Sequence, residues 1–263
     1  MGFEGKPAGA ITALIIAKNE GHNIVDCLES VQWADERIVV DAQSADRTVE
    51  LAVQAGARVF VRPWPGYGPQ KNFGIEQASH EWIMIVDADE RVPDALAREI
   101  KTALAADVPS DVAAFEVPRR NFFYGRWMQG GGMYPDYQIR LIRRSACRYD
   151  DTKLHERLLF QGRILRLANP MDHHTMPTVG HHARKIVAYS TLGAAEKLKR
   201  RSRVTAMQIA GHHLGTIAKT YLLRGGWREG VPGVVVAMFA GMFTFLKYAK
   251  AWESMAVGDG GEQ

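Results

Sequence analysis

The stretch "IMIVDADERV", residues 83–92, decides the fold. Four apolar residues, Ile83 to Val86, run directly into Asp87, Asp89 and Glu90. A short β-branched run bounded by polar residues reads as a buried strand. A strand that only had to reach solvent would need one polar residue and a glycine. Carboxylates that repel one another at its end imply that something positive belongs between them.

Working outward, the first hundred residues alternate between two periods. "ITALIIA" (11–17), "RIVV" (37–40), "RVFV" (58–61) and "EWIMIV" (81–86) read as strands. Between them, Ile24, Leu28 and Val31 recur at helical spacing, and "DRTVELAVQAG" starts near the capping candidates Ser44 and Asp46 and stops at Gly56. "QKNFGIEQA" supplies a third helix, and Pro93 opens a fourth in "DALAREIKTALA". This β-α order predicts an α/β fold with a mostly parallel sheet and flanking helices. After about residue 110, "VAAFEV", "YQIRLIR", "ERLLF" and "RILRL" read as further strands, and from about 180 the chain reads as helical. Three parts are expected: 1–110, an α/β part that binds a nucleotide; 111–175, an acceptor-side part of the same domain; and 176–263, a helical C-terminal extension.

Composition narrows the class. With 46% apolar and 24% charged residues the chain is an ordinary globular protein. Cys27 and Cys147 form no CxxC pair and read as reduced thiols. The N-terminus lacks the basic start and apolar middle of a signal peptide, so a cytoplasmic location is expected. The net charge of +4 conceals an asymmetry: residues 1–100 hold 9 Lys/Arg against 16 Asp/Glu, and the remainder is strongly basic. "VPGVVVAMFAGMFTFL" (231–246) is the most apolar stretch; its 16 residues fall short of the ~20 that span a bilayer. Its basic flanks, with "KLKRRSR" (197–203), suit either a core helix or one lying on an anionic membrane surface.

In a parallel sheet, ligands bind beyond the carboxyl ends of the strands. Asn19 and Glu20 follow the first strand, Asp41 ends the second, and Asp87 and Asp89 end the fourth. "AKNE", "VVDAQSADRT", "GPQKNFGIEQA" and "VDADERV", in this order, resemble family-2 glycosyltransferases of the GT-A fold. The chain is most similar to the lipopolysaccharide-core β-1,4-glucosyltransferase-like group, and "YPDYQIRLIRR", "LHERL" and "FTFLKYAKAWE" extend the likeness over nearly all of it.

That resemblance implies an inverting sugar transfer from a nucleotide donor, usually UDP-linked, with Mg²⁺ or Mn²⁺. It also implies roles. Asp41 matches the base-recognising aspartate, Glu20 a residue near the nucleoside, and Lys71 a lysine that meets the diphosphate. Asp89 matches the metal-binding member of the DxD, with Asp87 near the ribose and metal shell. The acids after the DxD that could serve as general base are Asp136, Asp150, Asp151 and Glu156, and the resemblance favours Glu156. One of His173 or His174 is a further candidate for the diphosphate or metal; a zinc site is not indicated, because no cysteine accompanies the histidines.

Arg119, Arg120, Arg140, Arg143, Arg144 and Arg148, interleaved with aromatics in "RRNFFYGRW", suit a phosphorylated glycolipid or lipopolysaccharide-core acceptor. The expected location is then peripheral, on the inner face of the cytoplasmic membrane. Two other classes remain in view. An aspartyl-phosphate phosphatase also uses a D-x-D after a strand, and a pI of 9.1 allows a nucleic-acid-binding module. The acidic first hundred residues argue against nucleic acid as a partner. A nicotinamide-dependent oxidoreductase would need a GxGxxG after the first strand, and none is there.

Overall fold

In the computed structural model, residues 9–106, 108–150, 157–199 and 204–259 are described. The first half follows the predicted alternation: β1 (Ile11–Ala17), α1 (Ile24–Ser30), β2 (Glu36–Asp41), α2 (Thr48–Gln54), β3 (Arg58–Val61), α3 (Tyr67–Gln77), β4 (Trp82–Asp87), β5 (Glu90–Arg91) and α4 (Asp94–Ala105). Then come β6 (Val112–Phe123), β7 (Arg126–Trp127), β8 (Asp136–Arg143), β9 (Cys147–Tyr149), β10 (Leu158–Phe160), β11 (Arg163–Arg166) and β12 (Met171–Met176). The described residues that follow form α5 (Val179–Lys199), α6 (Ala206–Ala218), extended by a π-helical turn to Leu223, a 3-10 turn at Gly226–Glu229, and α7 (Val231–Asp259).

The chain forms two compact units. One comprises residues 1–119 and 136–173, the other 120–135 and 174–263. In the first, β1 pairs in parallel with β2 and with β4, and β2 with β3, while β8 joins β4 antiparallel. The main sheet runs β3-β2-β1-β4-β8-β6-β12-β5 and is therefore mixed. Parallel strands buried on both faces explain the unbroken apolar runs. Ile11, Ala13 and Ile15 pack with Ile24, Leu28, Leu96 and Ile100 on one face; Leu14 and Ile16 pack with Ile38, Ile83 and Ile75 on the other. α3 lies very close to β1, because a Cβ on Gly74 would stand 2.3 Å from Leu14 Cδ1. Both cysteines are free and buried, and burial pushes both thiols up, Cys147 to about 11. Neither is a nucleophile at neutral pH.

In the second unit, α7 packs against both α5 and α6. Phe123, Met128 and Val236 form one small core, and Ala194, Val204 and Ala251 another. α6 begins with a capping box in which Thr205 Oγ1 accepts from the Gln208 amide at 3.2 Å and the Gln208 side chain accepts from the Thr205 amide. The apolar run at 231–246 is only the start of a 29-residue helix. Its Val231–Ala256 stretch is long and apolar enough to cross a membrane by length and composition. The 16-residue count was too short because polar residues beyond 246 continue the same helix.

Candidate active site

Strand register brings the carboxylates together. Ala17, at the end of β1, lies opposite Asp41 of β2, and Ile16 lies opposite Asp87 of β4. The ends of β2 and β4 thus flank the end of β1, where the strand order reverses. That is the crevice in which open α/β sheets bind ligands.

The turn after β4 is organised by Glu90, which is wholly buried. Glu90 Oε2 accepts from the Asp87 amide at 3.0 Å, and Oε1 accepts from Arg119 Nη1 at 3.1 Å and from Arg140 Nη2. The same Arg140 nitrogen donates to Asp87 Oδ2 at 2.5 Å. Burial alone would raise the Asp87 carboxyl, but the charges of Arg140 and then Lys71 outweigh it and hold it well below the usual carboxylate range. Arg140 is correspondingly raised by Asp87 and Glu90 against the effect of its own burial. The positive partner of the first aspartate is therefore built into the protein.

Asp89 has a different neighbour. β12, a strand not expected from the sequence, pairs with β5 so that His173 lies opposite Glu90. This sets His173 Nε2 at 3.4 Å from Asp89 Oδ2. His174 instead stacks on Phe122, ring centroids 5.0 Å apart, so alternation along one strand separates the two histidines. Among the described residues no three His, Cys, Asp or Glu side chains gather to hold a metal ion. Asp89 and His173 fit a cation that takes its remaining ligands from diphosphate oxygens and water, as Mg²⁺ and Mn²⁺ do at phosphate sites.

The loops after β1 and β2 brace one another. Asp41 is fully buried, and its oxygens accept from the Ser44 amide at 2.8 Å and the Ser44 hydroxyl at 2.5 Å. Ser44 Oγ accepts in turn from the Asn19 amide at 2.7 Å, and Asn19 Oδ1 accepts from Ala45 at 2.8 Å. The Glu20 amide donates to Thr48 Oγ1 at 2.8 Å, while Asp46 accepts from the amides of Gly21 and Thr48. Asn19 and Gln43 hold positive φ angles of 57° and 56° to make these turns. Sequence reasoning gave Ser44 and Asp46 only a capping role and passed over Thr48. The Asp41 carboxylate, which the resemblance expects to meet the base, bonds Ser44 in this structure.

Lys71 sits in α3 with its ammonium 4.9 Å from the Tyr149 ring centroid. Its neighbour Asn72 exchanges two hydrogen bonds with the Tyr149 backbone, 2.8 and 2.9 Å. Gln70 is fully buried, and neither its amide oxygen nor its nitrogen has a partner among the described residues. Such an orphaned amide is satisfied by bound water or by a ligand.

On the acceptor side most expected arginines are occupied internally. Arg119 makes two bonds to Asp136 Oδ2, 2.7 and 3.0 Å, which also engages that candidate base. Arg143 donates to the carbonyls of Val112 and Pro109, Arg144 to that of Ala78, and Arg120 covers the Trp127 ring. These four and Arg140 serve the fold, because each meets a carboxylate, carbonyl or ring of its own unit. Glu156 and Asp151 lie outside the described residues.

A mixed sheet with its acidic turn at the point of strand reversal, closed by a histidine strand, defines a GT-A type glycosyltransferase fold. Residues 12–162 match the family model "Glycosyl transferase family 2". The chain belongs to that family and is a glycosyltransferase. It is 31% identical over 95% of its length, and 95% of the relative's, to the lipopolysaccharide core biosynthesis glycosyltransferase LpsC of Rhizobium meliloti. An uncharacterized glycosyltransferase of Rickettsia felis is 28% identical over 93% of this chain and 90% of its own. Among solved structures, glucosyl-3-phosphoglycerate synthase from Mycobacterium tuberculosis, in complex with Mn²⁺, UDP and glucosyl-3-phosphoglycerate, has a TM-score of 0.35 and 24% identity over 44% of each chain. Family membership displaces the phosphatase and nucleic-acid-binding alternatives.

Proposed function

We propose that this glycosyltransferase moves a hexose, glucose or a close relative, from a UDP-sugar to a phosphorylated glycolipid or lipopolysaccharide-core acceptor, with inversion and with Mg²⁺ or Mn²⁺. Its place of action is the inner face of the cytoplasmic membrane. The observation that carries the metal-dependent reading is the Asp89–His173 pair beside an Asp87 already neutralised by Arg140. The acceptor class rests on the similarity to LpsC over nearly the full length of both chains.

Asp89 and His173 would hold the cation, which supplies charge neutralisation to the departing diphosphate. Arg140 keeps Asp87 ionised, and Glu90, accepting from the Asp87 amide, fixes the turn. Lys71 adds a positive charge near Asp87, on the side where a diphosphate would lie. Asp41, acting through Ser44, shapes the wall of Asn19 and Glu20 against which the nucleoside rests. Glu156 takes the proton from the acceptor hydroxyl as the new glycosidic bond forms; direct inversion needs only one such base.

Calorimetry tests the reading. Wild type should bind UDP far more tightly with Mn²⁺ than with EDTA. Asp89→Ala and His173→Ala should each lose that metal-dependent increment and keep their far-UV spectrum. Glu156→Gln should bind UDP–Mn²⁺ normally while turnover falls on the order of 10²–10⁴-fold. Metal-independent UDP binding by the wild type would refute the cation site.

A further inference from the structure

We propose that α6 and α7 together seat the enzyme in the plane of an anionic lipid leaflet, with α6 as the principal embedded element and neither helix crossing the bilayer. This deepens the membrane-face location given above and stands independently of the donor chemistry.

The first observation is that no residue of α6 is buried, although the helix is mostly apolar. One side of it, Ile209, His213, Thr216 and Ile217, faces α7: Thr216 and Thr244 hydroxyls are 3.2 Å apart, and a Cβ on Gly241 would meet Ile217 and His213. The other side carries Met207, Ala210, Leu214 and Ala218, at i, i+3, i+7 and i+11, all exposed. Met207 is 84% exposed and Leu214 63%. A Cβ added at Gly211 or Gly215 would meet no atom within 4 Å, so this side is open among the described residues. The next turn adds Leu222 and Leu223, 59% and 83% exposed.

α7 continues the pattern. Its exposed apolar residues Val231, Val234, Met238, Met242 and Phe245 recur at i, i+3, i+7, i+11 and i+14, which is one narrow stripe. Exposed apolar stripes on two packed helices exceed the singly scattered exposed apolar residues of a soluble surface.

Charge selects the occupant. From Lys197 to Trp252 the sequence holds ten Lys/Arg and a single acid, Glu229. That acid is buried and accepts from the amides of Gln129 and Gly130, at 3.0 and 2.6 Å. An apolar face on a segment where cations far outnumber acids fits anionic headgroups over acyl chains.

The third observation decides between lying on the membrane and crossing it. α7 is long enough to cross, but it is packed along α5. The Phe239 and His182 rings meet in a tilted contact with centroids 4.3 Å apart, and Lys250 Nζ donates to Val187 O, Ser190 Oγ and Thr191 Oγ1, each at 2.8 Å. α5 carries Arg184, Lys185, Glu196, Lys197 and Lys199. A spanning α7 would draw these charges into hydrocarbon, at a cost of several kilocalories per mole for each. An in-plane position keeps α5 in water and immerses only the stripes.

Full-length protein is floated with vesicles of phosphatidylcholine alone or with about one quarter phosphatidylglycerol, in low and high salt. Wild type should float with the anionic vesicles only, weaken as salt rises, and be extracted by alkaline carbonate. Met207→Glu with Leu214→Glu should lower the bound fraction on the order of ten-fold. UDP–Mn²⁺ binding by the same variant should stay at its wild-type value, whatever that is, which reports an intact fold. Wild-type flotation by the variant would overturn the proposal, as would resistance of wild type to carbonate, which marks a spanning helix. So would a change from dimer to monomer in light scattering with flotation unaltered, since a second copy would then cover the face.

Discussion

Arg140 shows how one residue settles what a motif can do. It is 5% exposed and bonds both Asp87 and Glu90 through one nitrogen. Arg140→Met would remove the cation between the buried Glu90 and the partly exposed Asp87. Breaking a buried ionic pair by removing one partner costs about 3–5 kcal/mol. Urea denaturation should show a loss of that size, with UDP–Mn²⁺ affinity falling as the turn relaxes. A variant as stable as wild type would show that Arg140 does not neutralise the turn. The aspartates were visible in the sequence, since "DAD" at a strand end has few other uses. Their partners were not, because Arg140 and His173 lie 53 and 84 positions away from the carboxylates they meet, and only strand pairing selects them from the many arginines and histidines that surround them in sequence. The same holds for Ser44 under Asp41: a hydroxyl three residues away reads as a helix cap until the carboxylate above it is seen to be closed.

At the scale of elements, the helix α3 depends on a close approach that only a residue without a side chain allows. In Gly74→Ala the new methyl would meet Leu14 Cδ1 at 2.3 Å, and that side chain sits in a filled core. Overpacking of this kind costs about 1–3 kcal/mol. Adding Leu14→Ala should recover part of the loss, because the clashing methyls are removed, and chemical denaturation of the single and double variants measures that coupling. Additive losses would mean that the contact is not the cause. The parallel strands were readable as continuous apolar runs, since both of their faces are covered. β12 was not, because "MDHHTM" is polar and short, and its pairing with β5 rather than its own propensity makes it a strand. The apolar run does not mark the end of α7, for the converse reason: an apolar count stops at Leu246, whereas a helix continues as long as its backbone bonds do.

For the whole molecule, ligand linkage offers a single test of the fold and the site together. A ligand that binds only the folded chain at a hundred times its dissociation constant adds about 2.7 kcal/mol of stability. UDP with Mn²⁺ should therefore raise the melting temperature, whereas NAD, inorganic phosphate or duplex DNA should not. A shift with DNA and none with UDP–Mn²⁺ would contradict the assignment. The sequence by itself determined the α/β class, the β1–β4 core, the glycosyltransferase resemblance and the acidic turn, because strand period, helix period and short motifs are local properties of the chain. Tertiary structure alone decided which charges meet. It placed Arg140 on Asp87 and His173 on Asp89, engaged five of the six arginines expected to bind the acceptor within the protein, and left one side of α6 open among the described residues. Each of these depends on which distant segments pack together, and packing energy is a property of pairs of surfaces that no single stretch of sequence contains.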